Sequence, residues 1–133
     1  MGMRILVLTE NDACCGPMAA AFLRDYSPRI EAVSAGRAPL ETMDSMTVTV
    51  MKECLIDLSD YRPKNVSDFD VSAFDAVYDC PDLPCPATME EARRMRDFIK
   101  NEAYLFFGVC DLCGQTRGPY KKNRPNGAVF HVS

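Results

Sequence analysis

No stretch of the chain approaches the ~20 consecutive apolar residues that a membrane-spanning helix needs. Its first residues, MGMRILVL, lack the basic lead, apolar middle and small-residue cleavage site of a secretory signal. The expectation is a cytoplasmic protein with no membrane contact. Excess positive charge is missing as well: 15 Lys and Arg stand against 19 Asp and Glu, a net charge of -4. A nucleic-acid partner, which leaves a basic footprint, is therefore not expected. Internal repeats and low-complexity linkers are also absent. The 133 residues, 47% of them hydrophobic, read as one globular domain with one core and one site. What the chain does have is cysteine. Seven of them in a reducing compartment suggest redox chemistry, metal binding or core packing more than a disulfide framework.

Strand and helix signals alternate along the chain. Residues 4–8 form a short apolar run suited to a central parallel strand covered on both faces. Pro17 fits the first turn of a helix whose buried side carries Met18, Phe22 and Tyr26. Residues 30–36 read as a second strand ending in a glycine turn. Between 41 and 54, Met43, Met46, Val50 and Cys54 recur at helical spacing, with Met and Cys as core filler. Residues 74–80 form a third strand, closed by the proline-rich CPDLPCPA. Thr88 and Glu91 make a capping-box pair before a long helix lined by Met89, Ala92, Met95, Ile99 and Ala103. AVFHV, near the end, reads as an edge strand. The pattern predicts an α/β fold, a three-layer sandwich around a small central parallel sheet, with its ligand crevice at the carboxyl ends of the strands. The loop over residues 9–16 lies there.

These pieces resemble, in order over about residues 4–106, the low-molecular-weight protein tyrosine phosphatases and the thioredoxin-coupled arsenate reductases of the same fold. TENDACCGPMAAAFL resembles the phosphate loop and its helix, and EAVSAG the second strand and turn. VMKECLIDLSDYRPKNVSDFD resembles the reductase stretch after the second long helix, with Leu55 where a glycine is usual. FDAVYDC followed by PCP places Cys80 and Cys85 at the two shuttling cysteines, and RRMRDFIK resembles the last helix. The division expected is a phosphatase/arsenate-reductase-like domain over 1–106 and a cysteine-containing C-terminal extension over 107–133, packed on the same domain. The resemblance also implies a small oxyanion or a thioredoxin-type reductant as partner.

The family loop reads Cys-X-Gly-Asn-X-Cys-Arg-Ser and then Pro. Aligned on Pro17, Thr9 falls at the nucleophile, Glu10 beside it, Asn11 at the glycine, Asp12 at the asparagine, Ala13 at the next variable position, Cys14 at the second cysteine, Cys15 at the clamp arginine and Gly16 at the serine. The resemblance thus implies a degenerate phosphate loop without nucleophile or clamp, and no frame shift restores them, since the first later arginine is Arg24. The family's late Asp-Pro acid has no match; Asp82 is the carboxylate nearest the proposed crevice. Arg37 could replace the lost positive charge, although a solvated turn arginine is the simpler reading.

Six cysteines come in pairs: Cys14 with Cys15, Cys80 with Cys85, Cys110 with Cys113. The seventh, Cys54, sits on an apolar helical face and reads as core. His131, the only histidine, reads as a surface or edge-strand residue. Three readings stay open. One is a thiol-dependent, arsenate-reductase-like redox protein using Cys14, Cys15, Cys80 and Cys85. Another is a thiolate site for Zn or Fe that includes Cys110 and Cys113. The third is a pseudoenzyme, a non-catalytic binding module of the same fold.

Overall fold

The structure, a computed structural model, describes residues 2–112 and 129–132, with side chains as far as residue 108. β1 (Met3–Thr9), β2 (Ile30–Gly36), β3 (Ala76–Asp79) and β4 (Val129–Val132) form one sheet in the order β2-β1-β3-β4. The first three run parallel, with Leu8 opposite Ala35 on one side and Asp79 on the other. β4 pairs antiparallel with β3 and places His131 opposite Val77. VFHV thus fills the sheet edge as expected, Ala128 lying outside the described residues. The third strand is shorter than expected because Asp75 turns back to hold Arg4, accepting its backbone N–H at 2.8 Å.

β1 is central, so both of its faces must be covered. Ile5 and Val7 point into the main core with α1 (Cys15–Tyr26), α2 (Ser45–Lys52) and α3 (Met89–Leu112). Leu6 points the other way, against Ala35, Phe74, Val66 and Phe69. That second cover is thin. It consists of two 3-10 turns, Val66–Asp68 and Val71–Ala73, each opened by an Asn or Asp side chain accepting a backbone N–H. The anticipated face of α3 is buried at Ala92, Met95, Ile99 and Ala103. Its expected cap forms with the return bond shifted by one residue: Glu91 N donates to Thr88 Oγ1 at 3.1 Å, and Glu91 Oε1 accepts from Ala87 N at 2.9 Å, not from Thr88 N.

α2 begins four residues later than the periodicity suggested. Asp44 is its N-cap, accepting from both Thr47 N and Thr47 Oγ1 at 2.9 Å, and the competing side-chain bond stops the helix from extending backwards. Its far end closes as a Schellman motif: Ile56 N donates to Met51 O at 3.1 Å and Leu55 N to Lys52 O at 2.9 Å. Leu55 therefore adopts φ 65°, a position that favours glycine, with its side chain 95% exposed. A left-handed leucine costs roughly 1–2 kcal/mol, partly offset by the greater freedom glycine has in the unfolded chain. Leu55→Gly is expected to raise the urea midpoint, a gain of up to about 1 kcal/mol. An unchanged or lower midpoint would show that the strain is absorbed elsewhere.

Candidate functional site

The crossover from β1 to α1 sets the site. Between Thr9 and Cys15 the chain must reverse direction, and Asp12 takes φ 52°, a left-handed conformation in which Asn and Asp are enriched among non-glycine residues. The loop carbonyls face the segment after β2. Thr9 O accepts from Arg37 N at 3.1 Å, Glu10 O from Ala38 N at 2.8 Å, Asn11 O from Leu40 N at 3.0 Å and Ala13 O from Asp44 N at 3.1 Å. Three loop N–H groups are taken by side chains. Glu10 N donates to Asp82 Oδ2 at 2.8 Å, Asp12 N to Thr9 Oγ1 at 3.2 Å and Ala13 N to Asn11 Oδ1 at 3.0 Å. An anion-binding loop offers such N–H groups to its ligand. Here these three are already satisfied.

Asp12 is wholly buried. Its Oδ2 accepts from the Tyr61 hydroxyl at 2.5 Å and from Lys64 N at 2.8 Å. The Tyr61 hydroxyl also lies 2.7 Å from Ser34 Oγ, which ties the loop to β2. Asp12 Oδ1 has no hydrogen-bond partner among the described residues. Burial raises the carboxyl above its ordinary pKa, opposed by the bonds from Tyr61 and Lys64. Tyr61 is in turn pushed up by burial and by the Asp12 carboxyl.

Four cysteines meet this loop. Cys14 is the N-cap residue of α1 and Cys15 its first residue; Cys80 follows β3, and Cys85 lies on the way to α3. The Cys15 thiol donates to Leu83 O at 3.8 Å, the Cys80 thiol to Cys15 O at 3.9 Å, and Asn11 Nδ2 to Cys85 Sγ at 3.7 Å. Contact with Cys15 and burial hold Cys14 well above the ordinary thiol range. Burial, then contact with Cys14, pushes Cys85 up to about 12. Cys80 is raised by burial and by the carboxylates of Asp82 and Asp79. The helix N-terminus, worth about 0.3–1 kcal/mol at ordinary exposure, does not reverse the burial at Cys14.

Thr9, Asp12, Ala13, Cys14, Cys15, Gly16 and Cys80 are buried, Asn11 and Cys85 half-buried, and Glu10 exposed. The two crevice pairs are therefore brought together. Cys110 falls within α3, but its side chain, like the whole of Cys113, lies outside the described residues. Among the described residues, no three His, Cys, Asp or Glu side chains converge as metal ligands. Cys54 is half-buried against the core. Arg37 pairs with Asp79 at 3.4 Å, both about half exposed. Arg24 donates to Ala32 O at 3.0 Å, on the β2 side of α1. Tyr61, Ser34 and the bond made by Asp82 are additions that sequence reading did not assign. Only the acidity of Asp82 near the crevice hinted at one of them.

Comparison with curated proteins gives no match. Among solved structures, a low molecular weight protein tyrosine phosphatase from T. tengcongensis matches with a TM-score of 0.71 and 21% identity, over 80% of this chain and 99% of that one. An arsenate reductase from Archaeoglobus fulgidus matches with a TM-score of 0.69 and 17% identity, over 78% of this chain and 98% of that one. Wzb from Vibrio vulnificus, in complex with benzylphosphonate, matches with a TM-score of 0.70 and 17% identity, over 80% and 97%. These similarities show the three-layer α/β fold. No helix among the described residues is long and apolar enough to cross a membrane. The family model for low molecular weight phosphotyrosine protein phosphatases matches residues 4–103, and the chain belongs to that family.

Proposed function

We propose that this family member works through its thiols and does not transfer phosphoryl groups. The observation that carries the reading is the loop itself: the N–H groups of Glu10, Asp12 and Ala13 are occupied by side chains, while Cys14, Cys15, Cys80 and Cys85 gather around it. With Thr9 at the family's nucleophile position and Cys15 at its clamp, nothing in the loop supplies the attacking thiolate or the bidentate cation for a three-oxygen anion. Asp82 adds negative charge at the mouth. The similarity to arsenate reductases supports a two-electron thiol reaction, with a thioredoxin-type protein as the natural class of reductant. A second reading, a non-catalytic binding module, is favoured by one observation: Cys14, Cys80 and Cys85 are all held as neutral thiols, and the thiolate is the reactive form.

A phosphatase assay tests the proposal, and thiol titration separates it from the binding module. p-Nitrophenyl phosphate is expected not to be hydrolysed above the buffer rate, and mild oxidant is expected to remove two titratable thiols from the native protein. Iodoacetamide labelling of Cys85 should accelerate about tenfold per pH unit throughout the alkaline range below about 12. An ordinary cysteine levels off above ~8.5. Hydrolysis at phosphatase rates would overturn the proposal. Thiols that stay inert to oxidant would leave the binding module.

A further inference from the structure

We propose that this chain associates head to tail with further copies of itself, Leu55 of one copy entering the cleft beside Cys85 on the next. The proposal goes beyond the thiol reading and does not depend on it. Leu55 follows α2 with its side chain 95% exposed and its backbone at φ 65°. Within its own fold it gains on neither count: the left-handed conformation is unfavourable for leucine, and an exposed side chain takes no apolar surface out of water. A neighbour's surface would bury it. The chain itself carries a matching recess, a cleft of about 370 Å³. Its apolar walls include Met95 and Phe98 from α3 and Leu83 and Pro84 from the loop that carries Cys85, and its polar lining is Glu91 and Arg94. Phe98 is 39% exposed, so the recess has an uncovered apolar edge of its own.

Charge selects a second copy as the occupant. Leu55 is flanked in sequence by Lys52 and Asp57, both exposed, and the cleft offers one acid and one cation, Glu91 and Arg94, also exposed. Docking sets Lys52 against Glu91 and Asp57 against Arg94, and opposite signs at two points fix the register. A partner surface of a single sign would repel one of the two. Knob and recess lie on opposite flanks of α3. Glu53, beside Leu55 at the end of α2, pairs with Arg93 at 2.8 Å and Arg96 at 2.7 Å, whereas the cleft takes Glu91, Arg94 and Phe98; at 3.6 residues per turn these two sets face opposite ways. Two copies therefore make the contact once, and each is left with an unused knob or an unused recess. A heterologous contact of this kind propagates beyond the pair. One side chain and its rim make a small interface, which belongs to the transient class. Wherever it forms, the neighbour's Leu55 covers Cys85.

The test is sedimentation equilibrium of the reduced, native chain from about 10 μM to about 1 mM, with iodoacetamide labelling of Cys85 followed by peptide mass at one fixed pH. The weight-average mass of the wild type should climb with concentration past that of a dimer, and Cys85 should label severalfold more slowly at the top of the range than at the bottom. Leu55→Gly, which removes the knob, and Phe98→Glu, which puts a charge at the edge of the recess on an exposed helix position, should each stay monomeric and label at the dilute rate. An equimolar mixture of the two should form a dimer and nothing larger, because one intact knob and one intact recess remain between them. The wild-type measurement does not depend on any variant folding. A wild type that is monomeric throughout or stops at the dimer, association that survives in Leu55→Gly, or a mixture that stays monomeric overturns the inference. The oxidant titration tests the thiol reading separately.

Discussion

Asp12→Asn is expected to raise the stability of the folded chain at pH 7 by about 1–3 kcal/mol, the cost of leaving a buried polar group unsatisfied. One carboxylate oxygen is well held, by Tyr61 and Lys64 N, and the amide oxygen of the variant inherits both bonds. The other, Oδ1, is buried and without a partner among the described residues. An amide nitrogen there removes the buried charge and faces Thr9 Oγ1, which lies with Asp12 Oδ1 in the small space over Gly16. Asparagine also tolerates the left-handed backbone. The sign with pH follows from linkage. The folded-state pKa of Asp12 is raised above 3.8, so its favourable contribution is fully present below about 3.8 and is lost as pH rises through the folded value. The advantage of Asp12→Asn should therefore be largest at neutral pH and shrink on acidification. Urea unfolding of both proteins at several pH values measures it, and a lower midpoint for Asp12→Asn at pH 7 contradicts the account.

Gly36→Ala is expected to cost about 3 kcal/mol, at the upper end of the overpacking range. A Cβ at that position would lie 2.7 Å from Glu10 O and 3.1 Å from both Asp12 N and Asp12 Cβ. Neither side can give. Gly36 is paired with Thr9 in the sheet, bridged to Asn65, and donates to Lys64 O at 2.8 Å. The loop on the other side is fixed by Arg37 and Ala38. Relief must come from displacing the loop, so Cys85 should also label faster as its contact with Asn11 loosens. Gly108→Ala is the control, because a Cβ there meets nothing within 4 Å among the described residues. An unchanged urea midpoint for Gly36→Ala would mean that the loop is free to move.

Both effects turn on contacts that sequence patterns do not carry. The strands and helices were legible because their signals are local: the apolar run at β1, the 3.6-residue period of α3, the Thr88–Glu91 box. The late start of α2 was missed because Asp44 breaks a period that its methionines continue. The network around Asp12 was missed because Tyr61 lies 49 positions away along the chain, and the register of a tyrosine against a loop is set by the whole fold. Asp82 was noticed for its charge, but its bond to Glu10 N spans 72 positions. The cysteine pairs were visible by spacing, yet which thiols touch depends on how two loops meet over the end of the sheet. Leu55 is the reverse case. The family's preference for glycine there matched a backbone conformation that the chain keeps despite its leucine.

The row of main-chain bonds from residues 37–44 to the loop carbonyls bears on how this family diversifies. Because the carbonyls of Thr9, Glu10, Asn11 and Ala13 are held by backbone N–H groups, the curvature of the loop does not depend on a bound anion or on the identity of most of its side chains. In this chain the loop is a mould held from outside: its hollow is drawn by main-chain bonds to the neighbouring segment, so the residues at the family's attacking and clamping positions can be Thr9 and Cys15 while the same curve is kept.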